Sequence, residues 1–192
     1  MSHFFAYLSR MRFIRRWGLM HSTQVENIQE HSLRVAMIAH ALALTRNRLF
    51  GGAVNPERVA VLSMYHDAGE VLTGDLPRPV KYFNPEIEAS YRRIETVARD
   101  KLLGMVPDPL RGDYGGLLHQ TSATPDEQAL VTAADKLCAY MKCLEEVTSG
   151  NREFGQAEHA LRQTIEAIDL PEVRYFVATF VPSFRLTLDD LT

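Results

Sequence analysis

Cysteine is nearly absent from this sequence, and so is any long apolar run. The two cysteines, Cys138 and Cys143, lie five positions apart in one predicted helix, where side chains at that spacing diverge. A disulfide between them is therefore not expected, and a reducing, cytoplasmic setting is. The first twenty residues mix arginines with aromatics and lack an uninterrupted apolar stretch. They predict neither an export signal nor a membrane-spanning segment.

An excess of positive charge is also missing. The chain of 192 residues has 21 Lys+Arg against 24 Asp+Glu, a formal net charge of −3. A protein that coats a nucleic-acid polymer needs cations to neutralise phosphates, so this class of partner is excluded. Hydrophobic residues make up 46 % and charged residues 23 %, which is typical of a soluble globular protein. The length favours a single domain over residues 1–192.

Strand signals are scarce, whereas apolar residues recur at helical spacing along most of the chain. The fold class predicted is therefore all-α. Asn55-Pro56 and Thr124-Pro125 are typical helix starts, the second with a capping box completed by Glu127. Residues 107–116 are predicted as a loop or short turns. The predicted helices cover residues 2–16, 27–50, 56–72, 85–104, 125–149, 153–168 and 172–180.

The second predicted helix is almost entirely apolar in its middle. Between Leu33 and Leu44 only Arg34 and His40 are not apolar. A helix that is apolar all round must be enclosed, so this helix is predicted to form the centre of the core.

Some polar side chains fall on or next to these enclosed helices. His31 lies near the start of the apolar helix, His66 and Asp67 close the apolar run from Val59 to Tyr65, and Asp135 lies among apolar neighbours in a later helix. A buried carboxylate needs a partner or a metal. Two imidazoles and two carboxylates suit a divalent Mn, Co, Fe, Ni or Zn ion, and such an ion makes water a usable nucleophile. Hydrogen bonds within the core are the alternative explanation.

Two further carboxylates lie close to this set in sequence. Glu70 is four residues after His66, hence on the same face if the helix continues that far, where it could orient or deprotonate water. Asp75 lies in a stiff Thr-Gly-Asp-Leu-Pro turn. An exposed helix-end residue and a turn-forming aspartate are the structural alternatives for the two.

Arg16 and Trp17, the only tryptophan, lie at the end of the first predicted helix. The pair Arg15-Arg16 could simply favour the helix C-terminus. Alternatively, an arginine fork could hold a phosphate and the indole could pack on a sugar or base. Sequence order does not separate these alternatives.

Together, His31, His66-Asp67 and Asp135 resemble the H…HD…D signature of the HD superfamily of metal-dependent phosphohydrolases. Longer segments, including ENIQEHSLRVAMIAHALA, MYHDAGEVLTGDLPRPVKYFN and ADKLCAYMKCLEE, are similar to the bacterial HD-domain 5'-deoxynucleotidases over nearly the whole chain. Extended similarity of this kind is more specific than four residues.

The resemblance implies a helical HD-domain bundle that forms a homodimer, binds a divalent cation and hydrolyses deoxyribonucleoside 5'-monophosphates in preference to ribonucleotides. Cobalt is the favoured ion, with manganese or another transition metal as alternatives. The residues it assigns by role are these: metal ligands His31, His66, Asp67 and Asp135; catalytic Glu70 and Arg16; and, around the nucleotide, Arg16, Trp17, His31, Asp67, Asp75, Leu76, Pro77, Arg78 and Asp135. Arg78 is longer and more charged than the small residue expected at its position.

Other functions keep part of this pattern. The chain could be another HD phosphohydrolase that acts on cyclic nucleotides, dinucleotides or nucleoside triphosphates, although a triphosphate demands more cations than Arg15, Arg16, Arg78 and Lys81 provide. It could also be a non-catalytic nucleotide-binding scaffold. The aromatic C-terminal stretch from Tyr175 to Phe184 is a possible dimer contact or part of the core.

Overall fold

The fold is all-α, as predicted. The computed structural model of the protein describes residues 1–191, apart from the side chain of Arg78, and no strand occurs within that range. The α-helices are α1 (Phe4–Leu8), α2 (Ile28–Leu49), α3 (Pro56–Tyr65), α4 (Glu70–Thr73), α5 (Arg78–Lys81), α6 (Pro85–Leu103), α7 (Arg111–Leu118), α8 (Pro125–Thr148), α9 (Gly155–Glu166) and α10 (Pro171–Thr179). Short 3₁₀ segments follow α1, precede α7 and α9, and close the chain.

Helices α2 and α8 form the centre of the molecule. Helix α2 packs against α3, α8 and α10, and α8 packs in turn against α9. The fully buried side chains between them include Leu42, Leu62, Leu137, Met141 and Leu144. A smaller apolar cluster around Phe4, Leu102 and Leu118 holds the N-terminal helix against α6 and α7. No helix in the described part of the chain has the length and apolar character needed to cross a bilayer.

The predicted helix starts are confirmed by their caps. The Asn55 side chain accepts a hydrogen bond from the backbone of Arg58 at the start of α3. At the start of α8, Thr124 and Glu127 form the reciprocal capping box. Asn27 caps α2 in the same way as Asn55 caps α3. The predicted helices over residues 27–50, 85–104, 125–149 and 172–180 agree with the structure to within about two residues at each end, the usual uncertainty of helix ends.

The first helix is shorter than predicted. Residues 2–16 were expected to form one helix, but α1 ends at Leu8 and a 3₁₀ turn ends at Phe13. The next residues are extended, because the Arg16 N–H donates to the Glu26 carbonyl and Arg15 forms an isolated antiparallel bridge with Asn27. Arg16 therefore lies in a short antiparallel contact outside the helix, with Trp17 at the bend that follows it, and a pairing distant in sequence has overridden local helical spacing.

Residues 107–116, predicted as a loop, include most of a helix. Helix α7 begins at Arg111 and contains three glycines, Gly112, Gly115 and Gly116, which favoured the loop. A Cβ on Gly116 would lie 2.7 Å from the Ser122 hydroxyl oxygen. At Gly116 the missing side chain thus permits close packing.

The third predicted helix is interrupted in the structure. It was expected to continue to Leu72, but α3 ends at Tyr65, residues 66–69 form turns, and the short helix α4 follows. The interruption places His66 and Asp67 at a turn next to the core.

The centre of α2 is less enclosed than its composition predicts. Leu33, Met37 and Leu44 are 50 %, 62 % and 38 % exposed, respectively. They recur at helical spacing, so one side of α2 presents an apolar stripe outward, while its other side packs in the core.

Candidate active site

The structure brings His31, His66 and Asp67 together, with Asp135 beside His31. The Nε2 atom of His31 lies 3.2 Å from Asp135 Oδ1 and 3.7 Å from Asp67 Oδ2. The Nε2 atom of His66 lies 3.1 Å from the same Asp67 oxygen. Ligand atoms of His31, His66 and Asp67 all lie within 4.8 Å of one another. The four residues predicted as metal ligands are thus neighbours in space.

Three separate elements supply these side chains. Helix α2 carries His31 in its first turn, just after the Asn27 cap. The turn after α3 carries His66 and Asp67, and the middle of α8 carries Asp135. Because α2 packs against both α3 and α8, the packing of the core alone fixes the relative positions of the three groups.

The geometry of His66 fits a metal site. The Nδ1 atom of His66 lies 2.7 Å from the Ser63 carbonyl oxygen, which can only accept, so Nδ1 carries the hydrogen. Its Nε2 is buried and faces the Asp67 carboxylate, whose Oδ2 lies 3.1 Å away. A backbone carbonyl on one ring nitrogen that directs the other nitrogen toward the ligand group is the usual arrangement of a ligating histidine.

The ionisation of these groups is consistent with the same site. Burial lowers the pKa of His31, so its ring is neutral near pH 7, the form that binds a metal. Burial opposes protonation of His66 too, but the neighbouring Asp67 carboxylate outweighs it and raises the His66 pKa to about 9. The Asp67 pKa falls to about 2 because the His66 charge outweighs burial. A cation bound here would displace the His66 proton.

A cavity of about 450 Å³ opens beside the four residues. This volume is within the range of small-molecule sites, roughly 300 to 1,000 Å³. Asp67 and Asp135 lie on its wall, together with the predicted residues Arg16, Trp17, Glu70, Asp75, Leu76 and Pro77. The side chain of Arg78, also predicted to lie beside the nucleotide, is outside the described part of the structure. Apolar and small side chains, including Leu19, Met20, Ala139, Ala157 and Leu161, form another part of the wall.

Arg16 is held at the edge of the metal-ligand group. Its Nη1 atom lies 3.5 Å from Asp67 Oδ2, and its Nε donates to Glu26 at 3.0 Å. The side chain is only 12 % exposed, so the guanidinium is fixed rather than free in solvent. A guanidinium that faces a cavity next to a cation site is suited to hold two phosphate oxygens.

Glu70 lines the same cavity and is unusual in its protonation. Burial, reinforced by the charges of Asp67 and Asp75, raises the pKa of Glu70 to about 10. Its Oε2 atom is buried without a hydrogen-bond partner in the described structure. A divalent cation at the neighbouring ligands would act in the opposite direction and favour the carboxylate. Glu70 is therefore suited to hold or release one proton beside the ligand group.

Asp75 lies against the Trp17 backbone. Burial raises the pKa of Asp75, and the nearby backbone N–H of Trp17 opposes that rise. Helix α4 ends at Thr73, and Gly74 then adopts a φ of 75°, a conformation that favours glycine. This turn directs the chain from Glu70 back along the cavity to Asp75, Leu76 and Pro77.

Sequence reasoning missed two polar residues of this site. Glu26 accepts hydrogen bonds from both Arg16 and Trp17, but it lies in a non-periodic segment where no pattern indicated burial. Lys136 lies on the cavity wall and bonds Asp135 Oδ2 at 3.0 Å. Its position directly after Asp135 was the available signal, because adjacent helical residues can both border one opening.

Comparisons with known proteins agree with this geometry. Residues 3–184 match the family of 5'-deoxynucleotidase YfbR-like proteins. A 5'-deoxynucleotidase of Vibrio cholerae is 55 % identical over 191 residues, covering 100 % of this chain and 98 % of its own. An HD-domain phosphohydrolase of Listeria innocua has a TM-score of 0.83 at 24 % identity over 95 % of this chain and 88 % of its own.

A more distant structure contains a ligand. The HD phosphohydrolase DatZ of cyanophage S-2L, bound to dA and one catalytic Zn²⁺ ion, has a TM-score of 0.66 at 17 % identity over 93 % of this chain and 96 % of its own. At that identity the likeness concerns the fold alone. The match over nearly the whole chain and the close sequence similarity, by contrast, establish the family: this chain belongs to the 5'-deoxynucleotidase YfbR-like proteins.

Proposed function

We propose that this protein is a metal-dependent phosphomonoesterase that hydrolyses deoxyribonucleoside 5'-monophosphates to deoxynucleoside and phosphate. The observation that carries the proposal is the convergence of His31, His66, Asp67 and Asp135 beside a cavity that also contains Arg16 and Glu70. The name of the Vibrio cholerae relative, at 55 % identity over the full chain, supports the same activity.

His31, His66, Asp67 and Asp135 would hold one divalent cation. Mixed imidazole and carboxylate ligands suit a transition metal, and a related fold carries a catalytic Zn²⁺ ion. Cobalt is the ion we propose as most effective, with manganese or another transition metal as alternatives. When bound, such an ion supplies positive charge to a phosphoryl oxygen and lowers the pKa of water.

Glu70 and Arg16 would carry the remaining chemistry. The Glu70 carboxylate orients the attacking water and accepts its proton. As the new P–O bond forms, the bond between phosphorus and the 5' oxygen breaks, and the deoxynucleoside leaves as the alcohol after taking a proton from solvent. The Arg16 guanidinium, fixed by Glu26 and Asp67, holds the phosphoryl group and stabilises its negative charge, the main demand of phosphoryl transfer. His31, Asp67 and Asp135 would also lie beside the phosphate, because they hold the cation that acts on it.

Trp17 and Asp75 would read the sugar. The indole crowds the 2' position, so a ribose hydroxyl finds no space and no partner, and Asp75 accepts a hydrogen bond from the 3'-hydroxyl. Leu76, Pro77 and Arg78 lie along the nucleotide. Lys81, which also lines the cavity, is already paired with Glu95 at 2.7 Å, so few free cations remain for a triphosphate.

We also propose that residues 1–192 act as one cytoplasmic domain. Both cysteines are free and buried, as expected in a reducing compartment. The cavity wall draws on residues from Arg16 to Leu161, so its two ends come from parts of the chain that are far apart in sequence.

The activity is tested by measuring phosphate release from a panel of deoxy- and ribonucleoside 5'-monophosphates, a cyclic nucleotide and a nucleoside triphosphate. We expect release from the deoxynucleoside monophosphates, its loss after treatment with a chelator, and its recovery on addition of Co²⁺ or Mn²⁺. Turnover that survives complete metal removal, or that is fastest on the cyclic nucleotide or triphosphate, would contradict the proposal.

Replacing Glu70 with glutamine should abolish turnover while leaving binding intact. We expect kcat for deoxyadenosine 5'-monophosphate to fall by about 100-fold or more, the usual contribution of a general base, with metal content and nucleotide affinity unchanged. Glu145→Gln is the control, because Glu145 pairs with Arg34 instead of lining the cavity. If kcat fell equally in both variants, the loss would not be specific to Glu70.

Replacing Trp17 with alanine should reduce the preference for deoxyribose. We expect the ratio of kcat/KM for deoxyadenosine and adenosine 5'-monophosphates to fall by about 10-fold, the scale of discrimination by one apolar contact. Phe13→Ala removes an exposed aromatic ring of the same segment, 60 % exposed, and should leave the ratio unchanged. A Trp17→Ala enzyme with the original ratio would show that another residue excludes ribose.

We further propose that the protein is a homodimer through the outward stripe of α2. Leu33, Met37 and Leu44 form an apolar row along a helix whose opposite side is already in the core. A second copy presents the same row, so a two-fold interface covers both. The C-terminal aromatics are less suited, since Phe176 is buried in the core and Phe184 packs against it, which leaves the rings of Tyr175 and Phe180, 39 % and 44 % exposed, without a continuous row.

Met37→Glu should convert the dimer to a monomer. A buried unpaired carboxylate at the interface is costly, so light scattering coupled to size-exclusion chromatography should give half the mass of the original protein. Val97→Glu is the control, because Val97 on α6 is 65 % exposed, close to the 62 % of Met37. A monomeric original protein, or a Met37→Glu protein that remains dimeric, would rule out this interface.

A further inference from the structure

Glu26 connects two residues that the proposed function assigns to different parts of the substrate. One of its oxygens, Oε2, accepts a hydrogen bond from Arg16 Nε at 3.0 Å and another from Trp17 Nε1 at 3.1 Å. Glu26 itself is buried, with 7 % of its surface exposed, and does not line the cavity. A single carboxylate oxygen is thus the common anchor of the guanidinium and the indole.

The backbone fixes the same pairing. The Arg16 N–H donates to the Glu26 carbonyl oxygen, and the Ile28 N–H donates to the Ile14 carbonyl oxygen, both at 3.0 Å. The bridge between Arg15 and Asn27 lies between these two bonds. The register of this short antiparallel contact places Glu26 opposite Arg16, so the carboxylate reaches the side chains of Arg16 and Trp17 without leaving the protein interior.

Trp17 depends on such an anchor more than an ordinary residue does. Its φ is 60°, a left-handed conformation that a bulky side chain rarely adopts and that persists only where surrounding contacts enforce it. Its ring packs on Phe154, with ring centroids 5.4 Å apart, and donates a hydrogen bond to Glu26. The indole has only one hydrogen-bond donor, and Glu26 accepts it.

The loop between Trp17 and Glu26 is held from outside the cavity. Glu146 on α8 accepts hydrogen bonds from the backbones of Thr23 and Gln24 and from the Thr23 hydroxyl. These donors, with Lys142 and Asn151, outweigh burial and hold the pKa of Glu146 well below its usual range. Glu26 is therefore presented to Arg16 and Trp17 by a segment that is itself fixed to the core.

In a nucleoside 5'-monophosphate, the phosphate and the sugar are joined at a nearly constant separation. A site that reads both must hold its phosphate contact and its sugar contact at a matching separation. We propose that Glu26 is the positioning residue that sets the spacing of Arg16 and Trp17 and thereby the discrimination of deoxyribose from ribose. This inference rests on the function proposed above.

The test uses Glu26→Gln in the full-length, metal-loaded protein. The amide keeps the shape of the side chain but loses the negative charge that two donors share. Because Trp17 is the only tryptophan, its fluorescence reports its position directly. We expect a red-shifted emission and stronger quenching by acrylamide without any nucleotide present. We also expect a higher KM for deoxyadenosine 5'-monophosphate and a lower deoxyribose-to-ribose ratio of kcat/KM, each by about 10-fold, the scale of one hydrogen bond to a charged group.

Glu172→Gln is the matched control. Glu172 lies on α10 and is also buried, at 1 % exposure. Its Oε1 atom is 3.3 Å from Arg46 Nη1 on α2. The Glu172→Gln substitution removes the same charge from a glutamate–arginine pair that does not line the cavity. Its fluorescence and sugar preference should equal those of the original protein, even if it unfolds at a lower temperature.

Trp17→Phe tests the hydrogen bond between Trp17 and Glu26 by removing its donor. This variant remains informative if Glu26→Gln does not fold. The ring stays but its donor is lost, so the sugar preference should fall as in Glu26→Gln, and the double variant should be no worse than either single variant. A sugar preference unchanged in Glu26→Gln, or in Trp17→Phe, would overturn the inference, as would a changed preference without a change in Trp17 fluorescence. If the original protein itself does not prefer deoxyribose, the proposed function fails instead, and the fluorescence result stands apart from it.

Discussion

The enclosure of several carboxylates around one point is the constraint on which the rest of this structure depends. Asp67, Asp135, Glu70 and Asp75 border one cavity, and Arg16 and Lys136 supply permanent positive charge there. Uncompensated, such a group would be costly to bury. The protein responds in two ways: Glu70 holds its proton far above the usual pKa of a glutamate, and His66 takes one up at the expense of Asp67. Both responses are those of a site arranged for a cation, whose arrival would release these protons.

Periodicity and capping predicted most of the fold, because they are local properties of the chain. The caps at Asn55 and Thr124 and the helices they begin needed no knowledge of distant residues. Three of the failures had distant causes. Residues 14–16 leave the helix because they pair with residues 26–28, α7 tolerates Gly116 because Ser122 lies close to it, and the exposure of Met37 depends on which side of α2 the other helices cover.

The residues of the candidate site also divide into those with a local signal in the sequence and those placed by contacts with distant residues. His31, His66, Asp67 and Asp135 stood out as candidates because imidazoles and carboxylates are unexpected beside apolar runs, and the family resemblance assigned them as ligands. Their proximity follows from the packing of three helices. Glu26 could not be found in this way. The segment around Glu26 has no hydrophobic periodicity. One carboxylate oxygen of Glu26 accepts hydrogen bonds from the side chains of Arg16 and Trp17, across the short antiparallel contact between residues 14–16 and 26–28. A residue whose role is to fix the side chains of other residues gives no periodic signal in the sequence.

The hydrogen bonds of Asn151 and Glu146 have a consequence for how this protein can diversify. They fix the chain at His21 and Thr23, while Trp17 is fixed at the other end by Glu26. The three residues between, Gly18, Leu19 and Met20, line the apolar part of the cavity and are tethered on both sides. Side chains on this short bridge can therefore be exchanged, and the shape of the apolar wall altered, while Arg16 and Asp67 on the polar wall keep their places.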